Sequence, residues 1–238
     1  MRNVRTSVLV ILALAALALL MSVGPGIAVP TGVLNITNGL GGGAIFSGTS
    51  VDWVPPVGPP NGSLATGLGT NVAFTGGPLG AGVLGSITDV SFGAPSVSGF
   101  MTFSGFPNLA FDLSFLGPGM LNTNCAGLSM GQSCSPSSGS PYLLTATSVG
   151  TTLTLTAGGV ARDLLDGNSA WSGEFTSQFN LTPAQLQNAL LTGAGLANTF
   201  SGTFTAFTQS VPEPGSGALL LIGLGACLTR RWRRRDSE

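Results

Sequence analysis

Between Val29 and Val211 glycine, proline and asparagine recur so closely that the chain is cut into short alternating stretches, the pattern of many brief strands joined by turns rather than of helices. Strands are predicted at 33–36, 43–46, 71–75, 85–92, 98–103, 110–116, 142–147, 151–157, 172–179 and 198–207. That number of short strands in one domain predicts an all-β fold, a β-sandwich-like body carrying one short helix. The clearest period of two is Thr151-Thr152-Leu153-Thr154-Leu155-Thr156, with both leucines on one face. Gly150, after Ser148-Val149, marks the turn of a hairpin that joins Tyr142 to Ala157. The phenylalanines at 100, 103, 106, 111 and 115 keep no strict period and read as core, with a strand break at Gly105-Phe106-Pro107.

The predicted helix starts at Thr182-Pro183-Ala184-Gln185. Thr182 fits an N-cap, Pro183 the first helical position and Gln185 the reciprocal member of a capping box, and Gly193 can end the helix after Leu191. Leu186, Leu190 and Leu191 are expected to pack it on the sheet. Pro55 to Pro60, with Val57 and Gly58 between, form a loop or extended stretch, since proline cannot serve a central strand.

Charge is scarce and unevenly placed. Over 29–211 the acids are Asp52, Asp89, Asp112, Asp163, Asp166 and Glu174 against the single base Arg162, which is six minus one, or five negative. Nucleic acid is excluded as a partner because phosphate binding needs a basic footprint. Histidine is absent, as is lysine, which removes the commonest general base, metal ligand and Schiff-base nucleophile together. The chain is nonetheless 43% hydrophobic with 13 Phe, too apolar for a disordered polypeptide.

Little catalytic chemistry is left. Gly80-Ala81-Gly82-Val83-Leu84-Gly85 has the letters of a dinucleotide fingerprint but neither the preceding strand nor the following helix. Asp163, Asp166 and Glu174 are the cluster from which a glycosidase could draw a carboxylate pair. Asp163, Asp166 and Asn168 are a weak candidate for calcium, in a spacing unlike an EF-hand loop. A turn whose Asp and Asn side chains satisfy their own backbone is the favoured reading. No catalytic residue, cofactor or metal is predicted, and the chain is read as a non-enzyme. Cys125 and Cys134 sit in a polar Gly/Ser loop and are expected to form a disulfide; with no histidine near them they cannot complete a zinc shell. Cys227 lies in the apolar tail.

Both ends carry a different signal. Arg2 and Arg5 precede the apolar run Val8 to Met21, and Gly26-Ile27-Ala28 offers small residues for a signal peptidase, so 1–28 reads as a cleaved export signal, with a retained anchor as the alternative. At the other end Val211-Pro212-Glu213-Pro214 leads into the apolar run Gly215 to Leu228 and the cluster Arg230, Arg231, Arg233, Arg234 and Arg235 around Trp232. As a helix that run covers about 21 Å, short of the ~30 Å hydrocarbon core. Its arginines would hold the end in the cytoplasm.

This three-part tail resembles the PEP-CTERM sorting signal of Gram-negative envelope proteins. The resemblance implies export, transient anchoring in the inner membrane through 215–229, and recognition by an exosortase, a membrane protease that removes the tail, often where extracellular polysaccharide is made. An uncleaved tail anchor is the alternative. The expected organisation is a signal peptide at 1–28, an exported β-rich domain at 29–210 and a sorting signal at 211–238. The body would then act at the cell surface or in the extracellular matrix in a structural or interaction role, with exopolysaccharide as a partner. The alternative is a carbohydrate-binding or adhesive module, assisted by calcium.

Overall fold

The computed structural model describes residues 29–54, 61–165, 167–193 and 195–208. The export signal, the sorting motif with its apolar run and arginines, Cys227, Pro55–Pro60 and Asp166 lie outside the described residues. In chain order the elements are β1 (Gly32–Asn38), β2 (Gly43–Phe46), β3 (Ser50–Val54), β4 (Gly62–Thr66), β5 (Leu84–Ile87), β6 (Val90–Ser91), β7 (Val97–Phe103), β8 (Leu109–Leu116), β9 (Ser133–Cys134), β10 (Tyr142–Thr147), β11 (Gly150–Asp163), β12 (Gly167–Phe179), α1 (Pro183–Leu191), β13 (Leu196–Asn198) and β14 (Ser201–Phe207). The fold is all-β with one short helix among the described residues. None of their helices is long and apolar enough to cross a membrane.

The expected pair of open, facing sheets is replaced over much of the body by a ring. Strands pair in the order β12-β14-β1-β4-β5-β7-β8-β11, and β11 pairs back onto β12, so eight antiparallel strands close a barrel. Closure removes the free edges that a chain without lysine could not guard by charge.

β11 and β12 are longer than the barrel. The second half of β11 pairs with β8, while its first half, from Gly150 to Leu155, pairs with β10, which carries β9 on its far side. Here a second layer lies over the extended strands. The four-stranded sheet β13-β2-β3-β6 sets Phe46 edge-on to Tyr142 and Phe179, at ring centroids 6.3 and 5.8 Å, and Trp53 against Phe175 at 4.9 Å. Inside the ring, Trp171, Phe175, Phe204, Phe111 and Phe100 form one aromatic cluster, with Phe175 and Phe204 at 4.7 Å. Edge-to-face pairs of this kind add to the apolar burial that drives the fold.

β11 continues through Gly158-Gly159, where the sequence predicts an end after Ala157. The register with β8 shifts between these glycines, leaving Ser114 as the extra residue of a bulge. Glycine is needed there, because a Cβ on Gly159 would run into the Asp112 carbonyl and one on Gly158 into the Phe115 ring. Phe115 therefore lies outside, 48% exposed over Gly158, and is not core as predicted. The predicted strand at 71–75 is instead a loop making isolated bridges, folded over the barrel end with Val72 and Leu79 buried.

Strand direction fixes the two rims. Gly32 faces Ala206 and Phe207 faces Ala170, so both the start and the end of the body leave at the rim that holds the β11–β12 turn. The β10–β11 turn and α1 stand at the other rim. Phe179 lies nine positions along β12 from Ala170, about 30 Å away at strand rise.

Candidate functional site

At the rim away from the chain exits, three locally encoded features meet. Cys125 and Cys134 are joined, with Cα atoms 5.4 Å apart and both side chains buried. The β10–β11 turn at Thr147–Gly150 approaches this loop. The helix start completes the group: Thr182 Oγ1 accepts from Gln185 N–H at 3.3 Å, and Gln185 Oε1 accepts from Thr182 N–H at 2.9 Å, the expected capping box. Leu186 and Leu190 are buried as predicted, but Leu191 is 55% exposed because it falls off the packed stripe.

Side-chain bonds tie these parts together. Gln187 donates its amide to the carbonyls of Thr123 and Pro136 at 2.8 and 2.9 Å, docking the disulfide loop on the helix. Thr151 Oγ1 donates to the Leu181 carbonyl at 2.6 Å. Between them lies a groove of about 600 Å³ lined by Leu128, Met130, Val149, Leu181, Pro183 and Asn180 among others, none of them charged. Such a surface can take up a neutral, amphipathic partner by shape and hydrogen bonding.

Asp89, Asp112, Arg162 and Asp163 serve the fold. Asp89 accepts the Trp53 backbone N–H at 2.8 Å; burial, with Asp52 nearby, pushes its carboxyl up against the lowering effect of that bond. Asp112 pairs with Arg162 through both carboxylate oxygens and accepts the Gly99 N–H at 2.6 Å. Burial raises the Asp112 carboxyl, but the guanidinium, the Gly99 N–H and Ser98 outweigh it and hold the group below the usual carboxylate value. Asp163 is buried and accepts from Thr75 N–H at 2.8 Å and Leu165 N–H at 3.0 Å, strapping the loop at 67–83 across the barrel end. Burial drives the Tyr142 phenol well above its ordinary value, and its hydroxyl donates to the Ser50 carbonyl.

Of the carboxylates weighed for catalysis, the two that are described, Asp163 and Glu174, are not brought together. Asp163 points into the barrel, whereas Glu174 is exposed on the outside. Glu174 faces Thr156, seven positions along β11 from Asp163, about 23 Å at strand rise and far beyond the ~5–9.5 Å of a glycosidase pair. Of the calcium candidates, Asn168 is exposed, opposite Arg162 in register, on the other face from Asp163, and Asp166 lies outside the described residues. Among the described residues no group of three His, Cys, Asp or Glu could hold a metal ion. The glycine-rich segment 80–85 is a turn leading into β5, without a helix.

Residues 210–235 match the PEP-CTERM protein-sorting motif. The chain carries a PEP-CTERM sorting signal. It is therefore an exported, envelope-associated protein of the kind that an exosortase-type membrane enzyme handles, and its matched segment is a sorting element rather than a catalytic one. Comparison with curated proteins and with solved structures finds no match for the chain. Its groove was only partly foreseeable: the hairpin, the cap and the cysteine pair are each local signals, but nothing in the spacing of Gln187 announces that it holds the disulfide loop.

Proposed function

We propose that this chain is a non-enzymatic surface or matrix module, held in the inner membrane by 215–229 with its arginines in the cytoplasm and released by cleavage near Pro212–Pro214. The observation that carries this reading is the consumption of charge: Asp89, Asp112, Arg162 and Asp163 are all engaged in holding the fold, and the rim groove facing away from the chain exits has no charged lining. A body of this kind acts through neutral contacts, with polysaccharide or with neighbouring copies. Solubility rests on hydroxyl and amide groups, which tolerate close neighbours instead of repelling them.

Mass spectrometry of the protein from its own host tests the sorting half of this reading, since it reports both termini at once. A mature form beginning after Ala28 and ending near Pro212–Pro214 in the extracellular fraction is expected. An intact chain ending at Glu238 in the cytosol would overturn it.

A further inference from the structure

We propose that the outer wall of the barrel over β8, β11, β12 and β14 binds a neutral glycan chain, with the rings of Phe115 and Phe207 as its two stacking platforms. The pleat turns both side chains outward. Phe115 faces Gly158 and, beyond it, Ser172, while Phe207 faces Ala170 and, beyond it, Val160. They are 48% and 43% exposed. One exposed phenylalanine is ordinary on a protein surface, but these two stand on consecutive rows of one sheet face, three strands apart, about 14–16 Å between backbones. Phe115 is also held in place. A Cβ on Gly158 would lie 2.5 Å from two of its ring carbons, so the ring rests on bare backbone while about half of the side chain stays in solvent. Between the two rings the side chains are short, and nothing bulky separates them.

The occupant follows from the border of this face. In the next row Thr156 and Thr203 flank the exposed Glu174, and Thr205 stands opposite Ser172. Arg162, the one cation among the described residues, is engaged by Asp112. A polyanion would therefore meet the Glu174 carboxylate and no free positive charge. A wholly apolar partner would strip water from Glu174 and the threonines without replacing their hydrogen bonds. A pyranose meets both demands: its C–H face suits the electron-rich face of a phenyl ring, and its hydroxyls can donate to the carboxylate and exchange bonds with the threonines.

This inference rests on the reading of the body as a module that acts through neutral contacts, and it adds a wall distinct from the rim groove. Full-length protein in a polyoxyethylene detergent, which carries no sugar, is mixed with microcrystalline cellulose or curdlan, and the unbound fraction is measured. Cross-linked alginate is the anionic control. The expected result is depletion by at least one neutral glucan and none by alginate. Phe115→Leu and Phe207→Leu keep an apolar cover but lose the flat ring, and each should weaken binding about threefold or more, while Phe115→Tyr restores it. Depletion by neither glucan would overturn the inference and remove polysaccharide as a partner, leaving neighbouring copies to the broader reading. Depletion unchanged in both leucine variants but abolished by Val149→Ser would place the glycan in the rim groove and overturn the inference alone. Equal retention on alginate, or weakening that only follows a lowered urea midpoint of the leucine variants, would also overturn it.

Discussion

Trp171, inside the barrel, donates its indole N–H to the backbone carbonyl of Asp112 at 2.9 Å, while Arg162, outside it, holds the carboxylate of the same residue. One residue of β8 is thus fixed from both faces of the sheet beside the bulge. Trp53 offers a contrast: it is as fully buried, but its indole N–H has no hydrogen-bond partner among the described residues. Trp171→Phe removes a made bond, whereas Trp53→Phe removes an unmet donor. Urea denaturation is expected to show Trp171→Phe costing at least about 1 kcal/mol more than Trp53→Phe, although both lose the same volume. Equal losses would mean that the Trp171 bond adds nothing.

The bulge gives a second prediction. Gly159→Ala pushes a methyl into the Asp112 carbonyl, so β8 and β11 must separate where Trp171 and Arg162 hold them. A loss of roughly 1–3 kcal/mol is expected, in the range of overpacked cores. The same substitution at Gly127, where an added Cβ meets nothing within 4 Å but φ is 67°, tests strain without collision and is expected to cost less.

The features legible from sequence were the local ones. β2 and β10 occupy the predicted residues because each is a short alternating run between turn residues, and the capping box at Thr182 and Gln185 is written within four positions. β3 and β4 escaped notice, one for its nearness to the prolines and the other because Gly62-Ser63-Leu64-Ala65-Thr66 holds a single large apolar residue. Ring closure depends on β14 lying between β12 and β1 and on β11 meeting β8, pairings of distant segments that no local period encodes. For the same reason the sequence placed Asp163 beside Asn168 in a turn, while the strand pleat sends them to opposite faces.

The disulfide supports the groove. Reduction, or paired Cys125→Ala and Cys134→Ala, is expected to cost roughly 2–3 kcal/mol, as closing so short a loop predicts. Because Gln187 docks this loop on α1, amide exchange should accelerate in the helix as well as in residues 122–136. Acceleration confined to the loop would show that the helix start holds its place unaided.

Asp163 separates a strap from a metal ligand. Asp163→Ala leaves the N–H groups of Thr75 and Leu165 without this acceptor, and a loss of roughly 2–4 kcal/mol is expected, with the loop at 67–83 exchanging fastest. Calcium should leave the melting temperature of the unaltered protein where chelator leaves it, since a ligand that binds only the native state must raise its stability. A rise with calcium would reinstate the metal.

Acid stability turns on two carboxyls with opposite signs. Asp112, held below its ordinary value chiefly by the opposition of Arg162 and the Gly99 N–H to burial, contributes stability that is complete above its unfolded pKa near ~3.9 and is lost as pH falls through the lower folded value. Asp89 is raised, mainly by burial, so the folded chain binds its proton first and gains stability as pH falls toward that unfolded value. Melting followed from about pH 6 to pH 2 should therefore decline less steeply in Asp112→Asn than in the unaltered protein, and more steeply in Asp89→Asn. Parallel curves for all three would mean that neither group is shifted by the contacts that surround it.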